Sequence, residues 1–178
     1  MPPDREADAH LCRRAAGGDG VAFRLLVETH ERRLRAFLAH AAGPELGDEL
    51  AQEAFVKAWQ SLASFRGDSA FSSWLCAIGW RCFIDYVRRE RSEGRKRAAA
   101  GALADTAAAA PTGDRLDLAG ALARLEPVER AALVLCEGHG WSHGEAAGIL
   151  RLPLGTLKGT VRRAKQKCRD YLEVTAHG

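Results

Sequence analysis

From Leu150 to Arg169 the sequence holds no carboxylate; Asp170 is the first acid after Glu145. The whole chain gives no hint of that gap. Its 26 Lys and Arg stand against 23 Asp and Glu, leaving a formal charge of only +3. The basic character is therefore local, and local basic patches matter for nucleic-acid binding even at modest total charge. Other absences narrow the field. The five cysteines, Cys12, Cys76, Cys82, Cys136 and Cys168, include no C-x-x-C pair, the spacing by which zinc sites usually announce themselves. They read as unpaired, mostly buried thiols in a reducing compartment. No apolar run is long and unbroken enough to span a bilayer. The polar, mixed-charge N-terminus "MPPDREADAHLCRRAAGGDG" is no signal peptide. A cytoplasmic protein without membrane insertion is expected. There is no phosphate-binding glycine loop and no nucleophile elbow. His139 and His143 lie four apart, but glycines and a helix start intervene. The chain does not read as an enzyme, and no catalytic residue, metal or cofactor is expected.

What is present is helical. Hydrophobic content of 47% and charged content of 28% belong to a soluble globular protein. Asp19 is placed to cap a helix running to about Ala42, with Phe23, Leu26, Val27, Leu34, Phe37, Leu38 and Ala41 as its apolar stripe and Gly43-Pro44 as its end. A second helix over about 47–62 buries Leu50, Ala54, Phe55, Ala58 and Leu62 and turns Glu49, Gln52, Glu53 and Gln60 outward. "FRGDS" at 65–69 is a loop, followed by a helix over about 70–90 rich in aromatics: Phe71, Trp74, Trp80, Phe83 and Tyr86. "AAAGALADTAAAAPTGD" at 98–114 has the composition of a linker. A second module starts near Arg115. Pro127 can open one of its helices, with Glu126 and Glu129 at the positive end. Ser142 and Glu145 form a capping box. A turn at Arg151–Pro153 then feeds the acid-free helix. No strand pattern competes, and no repeat of solenoid period is found. The expected fold is all-α: two small helical domains, 1–93 and 115–178, joined by a flexible linker over 94–114.

Along the acid-free helix, Leu154, Leu157, Val161, Ala164 and Cys168 recur at three- and four-residue spacing and share one face. Thr156, Lys158, Gly159, Arg162, Arg163 and Gln166 occupy the other. Short helix, tight turn and longer basic helix make a helix-turn-helix, whose second helix enters the major groove. A face without acids does not repel the phosphate backbone. The aromatic helix has too many rings for one narrow stripe. Phe71, Trp74 and Phe83 are expected to fill a core. Others, beside the cationic Arg81, Arg88, Arg89 and Arg91, are placed to stack on unpaired bases, an interaction worth about 1–3 kcal/mol per base. Asp85 reads as an ion-pair partner rather than a general base.

Two quoted stretches carry a resemblance. "DELAQEAFVKAWQSLASFRGDSAFSSWLCAIGWRCFIDYVRRERS", residues 48–92, resembles conserved region two of the extracytoplasmic-function (ECF) sigma factors of bacterial RNA polymerase. "LARLEPVERAALVLCEGHGWSHGEAAGILRLPLGTLKGTVRRAKQKCRDYL", residues 122–172, resembles region four. The resemblance implies that Asp48, Glu49, Gln52 and Glu53 dock on core RNA polymerase. It implies that the "FRGDSAF" loop, with Arg66 and Ser69, and the helix after it, with Trp80, Arg81, Arg88 and Arg89, recognise and melt the minus-ten promoter element. Thr156, Lys158, Gly159, Arg162 and Arg163 would read the minus-thirty-five element. It implies two partners besides promoter DNA: core polymerase and a separate anti-sigma factor. Arg151 stands where the family commonly has glycine, Gly159 where serine is usual, and Arg81 where asparagine is frequent. If the turn needs a left-handed backbone, Arg151 costs it about 1 kcal/mol. The alternative reading is a stand-alone helix-turn-helix regulator. It has no need of the acidic, amphipathic segment 48–60.

Overall fold

The structure, a computed structural model, describes residues 5–99 and 115–176, with side chains described over 5–95 and 118–174. Among the described residues every regular element is helical. The elements are α1 (Arg5–Ala16), α2 (Gly20–Ala42), α3 (Pro44–Ser61), α4 (Phe71–Ala99), α5 (Arg115–Ala123), α6 (Pro127–Leu133), α7 (His143–Leu150) and α8 (Leu154–Ala176). A 3₁₀ turn over Leu62–Ser64 follows α3, and a π-helical turn over Val134–Gly138 extends α6.

The caps act as their residue types require. Asp19 Oδ1 accepts from the backbone N–H groups of Val21 and Ala22, each at 3.0 Å, satisfying two donors that a helix start leaves open. Gly43, at φ 92°, ends α2 through its N–H to the Ala39 carbonyl (2.9 Å) and turns the chain into Pro44, the first residue of α3. The two helices then run so close that a Cβ on Gly47 would lie 2.6 Å from the backbone nitrogen of Ala39. That approach lets Leu26, Leu34, Phe37 and Leu38 of α2 interdigitate with Leu50, Ala51, Ala54 and Ala58 of α3, all at most 2% exposed.

The first helix was not legible as one. Its buried side is Asp8, Cys12 and Ala15. Asp8 and His30 are 5% and 2% exposed, and His30 Nε2 lies 3.0 Å from both Asp8 oxygens. A polar pair forms the centre of the α1–α2 contact, so a search for apolar periodicity passes over it. The fourth helix is also longer than expected. It reaches Ala99, so residues 94–99 of the expected linker are helical, while 100–114 fall outside the described residues.

Both expected modules are present, and they pack on each other. Helix α2 meets α6, and α4 meets α7. One continuous core joins Phe37 and Trp80 of the first module to Leu135, Trp141, Ala147 and Leu150 of the second. Arg33 of α2 donates from Nη2 to the His139 carbonyl at 2.8 Å, and its guanidinium lies 4.2 Å over the Trp141 ring. Burial, with Arg33 and His40 nearby, pushes His139 down to about 4, so this imidazole is neutral at pH 7. The five cysteines are unpaired, and all but half-buried Cys136 are buried. Burial pushes the Cys76 thiol up to about 12 and the Cys12 thiol to about 11.

Candidate nucleic-acid interface

The helix-turn-helix is built from both sides of a strained corner. Ser142 Oγ accepts from the Glu145 N–H (3.2 Å), and Glu145 Oε2 accepts from the Ser142 N–H (3.0 Å), closing the capping box that starts α7. At its other end Arg151 is left-handed, at φ 55° and ψ 44°. It is the one non-glycine residue with positive φ among those described. The expected cost of about 1 kcal/mol is thus incurred. It is offset in part because the Leu152 N–H reaches the Ala147 carbonyl at 3.0 Å, satisfying an end-of-helix acceptor.

Helix α8 then lies with Leu157, Val161, Ala164 and Cys168 buried. Leu154 does not join them: it is 46% exposed, because it opens the helix one turn before the first packed residue, Leu157. The opposite face is solvent-facing. Thr156, Lys158, Arg162 and Arg163 are exposed, with half-buried Gly159 between them. Arg163 Nη2 donates to Thr160 Oγ1 at 3.2 Å, which fixes its guanidinium along the helix. The structure also sorts the cations of α8, which the sequence shows only as a run. Lys165 pairs with Glu137 of the π turn at 2.8 Å, and Lys167 with Glu129 of α6 at 2.7 Å. Both are spent inside the module. Lys158 and Arg162 make no ion pair among the described residues. What remains unneutralised is the face expected to meet DNA, and fixed cations there give phosphate attraction and groove contacts. Glu129 itself is only 8% exposed. Burial raises its carboxyl, but hydrogen bonds from Lys167 and the Glu126 N–H outweigh this and hold it below its ordinary range.

The minus-ten set is divided. Arg66 and Ser69 are exposed in the loop, and Arg81, Arg88 and Arg89 are exposed on α4. Asp85 lies between two of these arginines, 4.0 Å from Arg81 Nε and 3.9 Å from Arg88 Nη1, the ion-pair role expected of it. Trp80 is not available to a base in this arrangement. It is 5% exposed, with its ring centroid 6.4 Å from Phe37 and 5.3 Å from Phe83. The reason is its place on α4. It shares a face with Ile84 and Val87, four and seven residues on, and on that face its ring packs between Phe37 of α2 and Phe83 of its own helix. Phe71 and Phe83 are core as expected, while Trp74 is half-buried against Phe65 and Phe71.

On α3, Asp48, Glu49 and Gln52 are exposed, while Glu53 is half-buried and pairs with Lys57 at 2.7 Å. Asp48 meets Arg35 of α2 at 2.9 Å. The sequence reading missed how this strip continues. Val56 and Trp59 are 56% and 40% exposed, four and seven residues beyond Gln52 and on the same face. The Trp59 ring rests 4.8 Å from Phe23. The spacing was readable, but a search for the buried stripe had no use for apolar residues outside it.

Comparison with known proteins finds two family matches along the chain. Sigma-70 region 2 matches residues 26–93, and sigma-70 region 4 matches residues 115–168. The RNA polymerase sigma factor NccH of Alcaligenes xylosoxydans xylosoxydans is 33% identical, with 96% of this chain and 97% of that protein covered. The ECF RNA polymerase sigma-E factor of Escherichia coli K12 is 30% identical, with 89% and 91% covered. Among solved structures, CnrH in complex with the cytosolic domain of CnrY superposes with a TM-score of 0.71 at 30% identity, over 94% of this chain and 98% of that one. The sigma factor RpoE, in complex with the anti-sigma factor NepR from Bartonella quintana, gives 0.69 at 27% identity, over 85% and 97%.

Proposed function

Since the chain belongs to the ECF subfamily of sigma-70 family RNA polymerase sigma factors, we propose how its parts divide the work of promoter-specific initiation. Helix α3 docks on core polymerase through Asp48, Glu49, Gln52 and Glu53, and the exposed Val56 and Trp59 lengthen that contact with an apolar end. The loop at 65–71 and α4 engage the minus-ten element, with Arg66, Ser69, Arg81, Arg88 and Arg89 as the contacts, and with Trp80 once its face is uncovered. Helix α8 lies in the major groove of the minus-thirty-five element, presenting Thr156, Lys158, Gly159, Arg162 and Arg163. The observation that carries this reading is the sorting of charge on α8. Lys165 and Lys167 are neutralised from within, whereas Lys158 and Arg162, on one exposed face, make no ion pair among the described residues.

The role is one of binding and not of catalysis, and it is exercised in the cytoplasm, where polymerase and promoters are. Among the described residues no helix is long and apolar enough to cross a membrane. The solved relatives held by CnrY and NepR support an anti-sigma factor as this chain's third partner, in a one-to-one complex that covers the polymerase-docking surface. The test is run-off transcription on genomic DNA with core polymerase and the purified chain. Transcripts with defined start sites should need both components. Arg162→Ala should weaken minus-thirty-five recognition by about 1–3 kcal/mol, at one base position if it reads a base and at all sequences alike if it holds a phosphate. Nanomolar promoter-specific binding by the chain without polymerase would refute the assignment and favour a stand-alone regulator.

A further inference from the structure

Thr160 is a polar residue on the inward side of α8. It is 3% exposed and lies among Leu157, Val161 and Ala164, which turn inward with it. A buried hydroxyl needs a hydrogen-bond partner. A helical threonine can spend its hydroxyl on the carbonyl four residues back, as Thr29 does on the Leu25 carbonyl at 2.7 Å. Thr160 is used otherwise. Its Oγ1 accepts from Arg163 Nη2 at 3.2 Å, so a buried atom holds an exposed guanidinium.

Gly159 completes the seat. A Cβ added there would meet one atom outside the helix backbone within 4 Å, Arg163 Nη1 at 3.6 Å. The Arg163 side chain therefore runs back toward the start of α8, as helical side chains do. Its two terminal nitrogens lie over adjacent residues, Nη1 beside the bare Cα of Gly159 and Nη2 on the Thr160 hydroxyl. By helical spacing, Gly159 sits at the crest of the exposed face, with Lys158 and Arg162 on one flank and Thr156 and Arg163 on the other. Lys158 and Arg162 make no ion pair among the described residues and have no such seat.

The two flanks differ in freedom. Arginine is rich in rotamers, and ordering it on contact costs affinity. A base edge is read by parallel N–H donors held in one plane, so a guanidinium already seated loses less when it binds. Phosphate contacts carry no sequence information, and a mobile cation serves for them. The Thr160 hydroxyl uses one N–H of Arg163 and leaves the rest of the fork for DNA.

We propose that Thr160 is a positioning residue for minus-thirty-five recognition: its buried hydroxyl holds the Arg163 guanidinium beside the Gly159 backbone, and that placement, rather than the charge alone, sets the choice of base where Arg163 meets DNA. The consequence for promoter choice rests on the sigma-factor reading, whereas the seat itself does not.

Polymerase holoenzyme reconstituted with the full chain tests this. It is titrated at two salt concentrations with a promoter duplex mapped by run-off and with single-base-pair variants of its minus-thirty-five element. Arg163→Ala should lose about ten-fold of the discrimination at one base pair. Thr160→Val keeps the shape and removes the acceptor. It should lower discrimination at that same base pair about five-fold and leave the salt dependence unchanged, because no cation is lost. Thr160→Ser keeps the hydroxyl and should stay within about two-fold of the wild type. Adding Thr160→Val to Arg163→Ala should change discrimination no further, since one residue acts through the other. Discrimination by Thr160→Val equal to the wild type would overturn the positioning role. So would a loss spread evenly over all duplexes, or equal losses from the valine and serine variants, either of which marks a packing defect. A wild type that binds no promoter specifically with polymerase would overturn the sigma reading and this role together, whereas specific binding indifferent to Thr160→Val would sink the positioning alone.

Discussion

Replacing Gly47 by alanine sets two effects of known sign against each other. In α3 the substitution should help, since alanine is favoured over glycine in a helix interior by about 1 kcal/mol. The α2–α3 contact opposes it. The new Cβ would meet Ala39 N at 2.6 Å, Ala39 Cα at 2.7 Å and the Leu38 carbonyl carbon at 2.8 Å. These are backbone atoms of a neighbouring helix and have no rotamer to yield. Ordinary carbon contacts begin at 3.4 Å, so the two helices must separate by most of an ångström along a core that is fully buried on both sides. Overpacking of this kind costs about 3 kcal/mol at the upper end of its usual range. The net expectation is a loss of about 2 kcal/mol, a drop in Tm of about 4–8 °C for a chain of this size. Urea unfolding followed by circular dichroism would measure it. The control is Gly159→Ala, where the nearest atom outside the helix backbone is Arg163 Nη1 at 3.6 Å. That change should leave stability equal or raise it by up to about 1 kcal/mol. If Gly47→Ala is as stable as the wild type, the close helix crossing that positions the α3 strip is wrong.

Two further expectations separate folding from function. Trp80→Ala should destabilise the chain by about 3–5 kcal/mol as a buried aromatic truncation. Exposed Arg81→Ala should keep its Tm within about 1–2 °C of the wild type and lose activity only on duplex templates, regaining it on a pre-melted bubble. Equal defects for Arg81→Ala on both templates would contradict its role in opening. The Glu129–Lys167 pair sets a pH dependence. The folded-state carboxyl titrates below its ordinary value, so its contribution is present above the unfolded pKa of about 4.3 and is lost as pH falls through the lower, folded one. Glu129→Gln should therefore destabilise at pH 7 and narrow the gap from wild type in acid unfolding. A constant gap down to pH 2 would rule that linkage out.

The sequence by itself determined the helices and the order of the two modules, because the information is local. Asp19, Gly43-Pro44, Pro127 and the Ser142–Glu145 box each act within a few residues of where they stand. The three- and four-residue recurrence through Leu157, Val161, Ala164 and Cys168 fixes which side of α8 is turned in. The basic face of α8 was legible for the same reason. Three features were not. Helix α1 depends on the pair between Asp8 and His30, 22 residues apart, and a polar contact leaves no hydrophobic period to read. Which lysines of α8 stay free depends on Glu129 and Glu137, brought alongside only when α6 and its π turn pack on it. The fate of Trp80 was decided by the packing of α4 beside α2, which brings Phe37 to its ring. Its helix face is apolar whether it awaits a base or a neighbouring helix, and only the tertiary structure places Phe37 beside it.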